Sequence, residues 1–222
     1  MTVFEDGTVA KNNPSALPGG APDEEYEAAA QKLVDQWAGD MDFALDFMQS
    51  QNIEVNSPFR NSLDLSRVGV YGHSTGGGAA IQFCGTDARC KAVLGIDPFM
   101  RPVSAQVLEN GVFQPAFFMF SQVWVDDKDS RNNQLFYPFY ANSKQVFGVV
   151  SIDGTRHYDF SDLPLLSPIA PQLGLKGPIN GRQMVKIMDT YLLAFFDETL
   201  NGKSTNLFDS TSPDFPELHY LK

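Results

Sequence analysis

Cysteine and positive charge are scarce in this chain, and each scarcity removes a class of protein from consideration. Two cysteines among 222 residues, Cys84 and Cys90, exclude a disulfide scaffold and any four-cysteine metal site. Sixteen Lys and Arg stand against 27 Asp and Glu, for a net charge of −11 and a pI near 4.6. Nucleic-acid binding needs clustered cations to neutralise phosphates, so no nucleic-acid partner is expected. Anionic membrane surfaces are disfavoured for the same reason. No apolar run approaches the roughly 18 residues of a membrane span. The start, Met1 to Asn13, carries Glu5 and Asp6 and no apolar stretch, so it does not read as a leader. A secreted or periplasmic location would need a signal elsewhere, and the location stays open.

What the chain does have is apolar residues, at 43%, with only 19% charged. That composition and length suit one folded domain over 1–222 with a sizeable core. Residues 1–23 hold Gly, Pro and Asn without a sustained period and read as a loop. A helix is expected over 24–52, opened by Asp23, Glu24 and Glu25, where the dipole favours acids. Tyr26, Ala30, Leu33, Trp37, Met41, Leu45 and Met48 recur at three- and four-residue steps along it. Over 67–203, short apolar runs alternate with helical patterns: Val68–Tyr71, Ala92–Ile96, Ala116–Phe120 and Val146–Ile152 read as buried strands. A small-residue helix is expected from Gly76 to Cys84, and a last helix from an N-cap at Asn180. Such alternation predicts an α/β fold, a mostly parallel sheet covered by helices on both faces. Residues 204–222, with Pro213 and Pro216, read as a tail lying over the surface.

The chemistry centres on Gly72-His73-Ser74-Thr75-Gly76, which fits G-x-S-x-G. The pattern alone is weak, but it lies between a buried strand and a small-residue helix. There the serine of a nucleophile elbow occupies a strained turn, and flanking glycines let strand and helix crowd around it. A serine hydroxyl needs a base. Of three histidines, His73 points away from the Ser74 hydroxyl by its place in the elbow and suits packing or orienting the turn. His219 belongs to the tail, where solvent would surround it. His157 follows the fourth strand in Asp153-Gly154-Thr155-Arg156-His157, at the strand ends where open parallel sheets build their sites. Two positions compete for the acid. Asp97 closes an apolar strand, where a carboxylate is costly without a partner; Asp126 and Asp127, with Asp129, follow the third strand. Desolvation favours Asp97, and the 126–129 cluster reads as a solvated loop rather than a calcium site, lacking the glycine and terminal glutamate of an EF-hand. Phe99, Met100, Phe117, Phe118, Met119 and Trp124 are either core or the wall of an acyl pocket. Cys84 and Cys90 bracket a helix-to-strand connection, as a small disulfide or as two buried thiols.

Taken together, Gly72-His73-Ser74-Thr75-Gly76-Gly77, Arg89-Cys90-Lys91 and Gly95-Ile96-Asp97-Pro98-Phe99-Met100-Arg101-Pro102 resemble platelet-activating-factor acetylhydrolases and their bacterial relatives. Gln114-Pro115-Ala116-Phe117-Phe118, Gly154-Thr155-Arg156-His157-Tyr158-Asp159-Phe160-Ser161-Asp162, Leu175-Lys176-Gly177-Pro178-Ile179 and Leu193-Ala194-Phe195-Phe196 continue the resemblance, collinearly. It implies an α/β-hydrolase fold and an esterase or lipase without a cofactor or metal, acting on a small ester or lipid. It also implies nucleophile, acid and base at Ser74, Asp97 and His157. The Thr75 backbone N–H would hold the oxyanion. The alternatives are a general esterase or polyester hydrolase with its acid at Asp126 or Asp127, and a non-catalytic interaction module.

The α/β-hydrolase fold places about four strands before the elbow strand. Only 66 residues precede Arg67, about half of them in the predicted helix, so those strands are not expected here. The elbow strand would then be a free parallel edge that a second chain could cover. A free imidazole takes up a proton near pH 6.5, so any activity that rests on a histidine base is expected to fall below that pH. A flat profile of kcat/KM between about pH 5 and 8 would exclude such a base.

Overall fold

A computed structural model describes residues 2–11, 16–166, 169–208 and 214–221. Strands β1 (Thr2–Val3) and β2 (Val9–Ala10) form a small antiparallel hairpin within the stretch read as a loop. Gly7 turns it with a φ of 81°, and two-residue strands are too short to leave an alternating pattern in the sequence. Helix α1 (Asp23–Ile53) follows, with Asp23, Glu24 and Glu25 in its first turn. It buries Ala30, Val34 and Leu45 and packs on α2 (Thr75–Thr86). Arg89 ties the two together, pairing with Asp42 and Asp46 of α1 as well as Asp87.

Beyond α1 the chain alternates strand and helix: β3 (Val68–His73), α2, β4 (Cys90–Ile96), α3 (Ala105–Asn110) and β5 (Pro115–Ser121). Next come α4 (Gln122–Asp126), α5 (Arg131–Asn142), β6 (Gln145–Ile152), a 3-10 turn (His157–Phe160), α6 (Leu163–Leu166), α7 (Gly181–Asn201) and β7 (Leu218–Leu221). The sheet order is β3-β4-β5-β6-β7, with the first four strands parallel and β7 antiparallel to β6. This is the mostly parallel sheet of an α/β-hydrolase fold. Among the described residues β3 pairs with β4 alone, and its Tyr71 is 58% exposed.

Strand periodicity sorts the side chains of β5 to two cores. Phe118 and Phe120 join Ile81, Val93, Phe136 and Phe139 beneath α2, α3 and α5. Phe117 and Met119 face the other way, onto Ile187, Tyr191 and Phe195 of α7. With both faces covered, every position is apolar, which is why Phe117-Phe118-Met119-Phe120 reads as a continuous run. Met100, Phe117, Phe118 and Met119 are therefore core. Asn180 caps α7, its side-chain oxygen accepting from the backbone of Arg182 and Gln183. Cys84 and Cys90 are joined in a disulfide, Cα atoms 5.2 Å apart, that closes the turn between α2 and β4. No helix among the described residues is long and apolar enough to cross a membrane.

The C-terminal segment departs from the expected surface tail. It returns to the sheet as β7, burying Phe215 and Leu218 in the α7-side core and closing the edge beside β6. Pro216 precedes the strand rather than interrupting it, Pro213 lies outside the described residues, and four residues are too few to announce a strand by pattern. Leu218→Ala is expected to cost about 2–5 kcal/mol in denaturant titration, as for a buried leucine. A loss under about 0.5 kcal/mol would mark a surface tail instead.

Candidate functional site

The site begins at the turn between β3 and α2. Ser74 adopts φ 57° and ψ −122°, outside the regions comfortable for a side-chain-bearing residue. It is held there by its N–H donating to the Ile96 carbonyl (2.9 Å) and its carbonyl accepting from Gly78 (3.1 Å) and Phe99 (2.9 Å). The crowding explains the glycines. A Cβ on Gly72 would sit 2.1 Å from the Gly76 carbonyl oxygen, and one on Gly78 would sit 2.3 Å from that of Phe99. No side chain fits at either place. Thr75 opens α2, so its N–H belongs to the unpaired first turn of a helix, and Thr75 lines the cleft beside Ser74.

One strand over, Asp97 follows β4 with φ 40° and is 2% exposed. Its Oδ1 accepts from the Ser121 N–H (2.7 Å) and its Oδ2 from the Ser121 hydroxyl (2.6 Å). The same Oδ2 lies 3.1 Å from Nδ1 of His157, whose Nε2 lies 2.9 Å from the Ser74 hydroxyl oxygen. A neutral ring that donates from Nδ1 to the carboxylate leaves Nε2 to accept from the serine. The imidazole therefore meets Asp97, whereas Asp126 ends α4 and Asp127 lines an adjoining hollow without bonding His157.

His157 opens a 3-10 turn that is clamped from inside. Asp159, two residues on and 2% exposed, accepts through Oδ2 from the N–H groups of Arg156 (2.8 Å) and Gly177 (2.7 Å). Lys176 Nζ stands 3.6 Å from its other oxygen. Thr155 and Gln122 add a second fastening, the Thr155 hydroxyl donating to the Ile152 carbonyl and accepting from the Gln122 N–H. Sequence reasoning missed Ser121 and Asp159. Each had a faint signal: Ser121 is a polar residue closing an apolar strand, as Asp97 is, and Asp159 lies within the histidine loop.

The other histidines take different places. His219 pairs with Asp153 across β6 and β7, Nε2 to Oδ2 at 2.9 Å, away from Ser74. His73 packs on His157, ring centroids 4.4 Å apart, and on Phe160 at 5.9 Å. Its Nε2 is buried without a hydrogen-bond partner. His73, Asp97 and His157 are the described residues whose clustering could hold a metal ion, their nearest donor atoms lying within 4.8 Å of one another. In His157 and Asp97 those atoms are already occupied by hydrogen bonds to each other, to Ser121 and to Ser74.

Above Ser74 lies a cleft of about 280 Å³, walled by Leu17, Tyr26, Phe99 and Trp124. Of the aromatics named from the sequence, Phe99 and Trp124 thus reach the cleft. A larger cavity of about 440 Å³ between α1, α3 and α5 contains none of Ser74, Asp97 or His157. The chemistry of its lining, not its size, makes the first the candidate site.

A serine–imidazole–carboxylate chain at the strand ends of a parallel sheet is the constellation of the α/β-hydrolase class. The family model for platelet-activating factor acetylhydrolase, isoform II, matches residues 24–214, and the chain belongs to that family. The platelet-activating factor acetylhydrolase of Cavia porcellus is 30% identical over 143 residues, covering 64% of this chain and 32% of that protein. Its counterpart in Gallus gallus is 28% identical over 156 residues, 67% of this chain and 36% of that one. The chain thus spans about a third of the length of these relatives. Among solved structures, a ferulic acid esterase from Streptomyces cinnamoneus aligns with a TM-score of 0.75 at 21% identity, covering 100% of this chain and 62% of its own. That likeness speaks to fold.

Burial is the main cause holding His73 well below its ordinary 6.5, at about 4; His157 adds to the effect and Asp97 opposes it. Between those pH values the unfolded chain binds this proton and the folded chain does not. The stability contributed by a neutral His73 is therefore full above pH 6.5 and declines as pH falls to about 4, by at most about 3 kcal/mol. Chemical denaturation at pH 7.5 and 4.5 should show a smaller acid loss in His73→Asn than in wild type. Equal losses would mean that His73 is not a buried neutral ring.

Proposed function

We propose that this chain is the catalytic portion of a serine hydrolase that cleaves carboxylic esters, short-acyl or phospholipid-like. The observation that carries the reading is the continuous hydrogen-bond chain from Ser74 through His157 to Asp97, set at an elbow that tolerates only glycine at its crowded positions. The names of the family and its relatives supply the substrate class. The apolar and aromatic cleft suits an acyl chain.

In this reading the Ser74 hydroxyl oxygen attacks the ester carbonyl carbon while its proton passes to His157 Nε2. The carbonyl oxygen, now an anion, takes the Thr75 N–H. Collapse of the intermediate breaks the bond to the alcohol, which leaves with the proton from Nε2. Water, activated by the same nitrogen, then attacks the acyl-serine and releases the acid. Asp97 stays ionised throughout, holding the Nδ1 proton in place and stabilising the imidazolium. Ser121 keeps that carboxylate oriented by occupying lone pairs on both its oxygens.

One N–H at the oxyanion position leaves room for a second donor, and a missing donor typically costs about 10²–10³ in rate. The edge of β3, unpaired among the described residues and with Tyr71 exposed, is where a further strand or a second chain would bring it.

A fluorophosphonate should add one adduct to the folded wild-type chain, read by intact mass, and none to Ser74→Ala. Hydrolysis of a short-chain aryl ester should fall at least about 10³-fold in the same variant. A folded wild-type chain that neither labels nor hydrolyses would favour the non-catalytic interaction module. Activity on polyester or long-chain esters, with none on short acyl groups, would favour a general esterase.

A further inference from the structure

Asn132 stands in the first turn of α5, and the mechanism above gives it no task. Its side-chain oxygen accepts from the backbone N–H groups of Met100 (3.1 Å) and Arg101 (3.4 Å). Those two donors settle which end of the amide is oxygen, because a flipped amide would set N–H against N–H. The NH₂ end is left with no hydrogen-bond partner among the described residues, although an amide nitrogen carries two donors. Nearby, the Asp127 carbonyl and the Ser130 hydroxyl accept from the Asn133 side-chain NH₂ instead.

Its place explains why a free donor matters. Asn132 lines the 280 Å³ cleft together with Ser74 and Thr75, and also the adjoining hollow of about 190 Å³ beneath Val123. Asp97, His157, Trp124 and Asn132 are common to both, so they form the partition where the two chambers meet. Asn132 is half-buried, so a substrate oxygen within reach satisfies its donor, whereas an alkyl group laid against it takes the donor out of water without replacing the bond. Leu17, Phe99 and Val123 offer only carbon to the two chambers, while Tyr26, Thr75, Ser121, Asp127 and Ser130 carry hydroxyl or carboxylate oxygens; an amide NH₂ donor comes from Asn132.

We infer that the Asn132 side-chain NH₂ is a specificity-determining donor that selects esters bearing a second hydrogen-bond-accepting oxygen close to the scissile carbonyl. This rests on the ester-hydrolase reading of Ser74, Asp97 and His157. The accepting oxygen can sit on the acyl side or on the alcohol side of the ester; the donor is the same, and the substrates can separate them. A purely alkyl ester fills the chambers but leaves the donor unmade. A site built to bond an oxygen rejects the analogue lacking it more strongly than an apolar pocket rejects an extra methylene.

Two isosteric pairs test this. On the acyl side, p-nitrophenyl methoxyacetate is compared with p-nitrophenyl butyrate; on the alcohol side, 2-methoxyethyl acetate with butyl acetate. Asn132→Asp keeps the oxygen that holds Met100 and Arg101 and removes the donor, and Asn132→Ala removes both without adding charge. In each protein the measured quantity is the ratio of kcat/KM for the oxygenated ester over its alkyl partner, which cancels any general effect on the catalytic groups. The expected result is a ratio about tenfold lower than wild type in both variants, carried by one of the two pairs, which also identifies the side of the ester. Ratios within about twofold of wild type for both pairs, with turnover intact, would overturn the inference while leaving the hydrolase reading standing. A wild-type chain that hydrolyses none of the four esters and takes no fluorophosphonate would overturn both.

Discussion

A carboxylate buried at the end of a central strand sets the terms for everything around it. Asp97 is 2% exposed, and an ionised group in that position is costly unless every lone pair has company. Ser121 supplies two donors from the end of the neighbouring β5, and His157 supplies the third from the loop after β6. The parallel register of β4, β5 and β6 brings these three strand ends to one rim, so that a single charge on one is satisfied by donors from the other two, distant in sequence. Removing any of the three would leave the carboxylate short of a donor.

Stiffness at the rim comes from two devices built differently. The elbow is rigid because it is crowded: the backbone of Gly72 lies against that of Gly76, and Gly78 against Phe99, so the Ser74 backbone has nowhere to relax. The histidine loop is rigid because it is tied: Asp159 gathers the N–H groups of Arg156 and Gly177, and Lys176 stands beside it. Crowding costs side chains and is visible as glycine. Tying costs a buried charge, and is visible only once the loop's partners are known. Between the two, His73 fills the space behind His157 as an uncharged ring.

The main strands, the long helices and the Ser74 elbow were readable from residue order because each rests on local rules. Period-2 and period-3.6 patterns record which faces are buried, and glycines flank a serine only where backbone must approach backbone. The β1–β2 hairpin and β7 were not readable, since two- and four-residue strands leave no period and β7 is held by its pairing to β6. Tyr71 and the open edge of β3 became a surface feature only when the sheet order was known.

For the site, the sequence by itself determined the residue types and their order along the chain: Ser74, then a carboxylate, then His157. It also determined the resemblance that carried their roles. It left Asp97 and the 126–129 acids in competition, and Cys84 and Cys90 either bonded or free. The tertiary structure decided that the imidazole meets Asp97, that Ser121 and Asp159 brace the two ends of the site, and that Asn132 has a donor to spare. The reason is physical. A pattern along the chain records burial and backbone crowding, which act between neighbours, whereas a hydrogen bond between strand ends depends on register and on loop paths that no local pattern encodes.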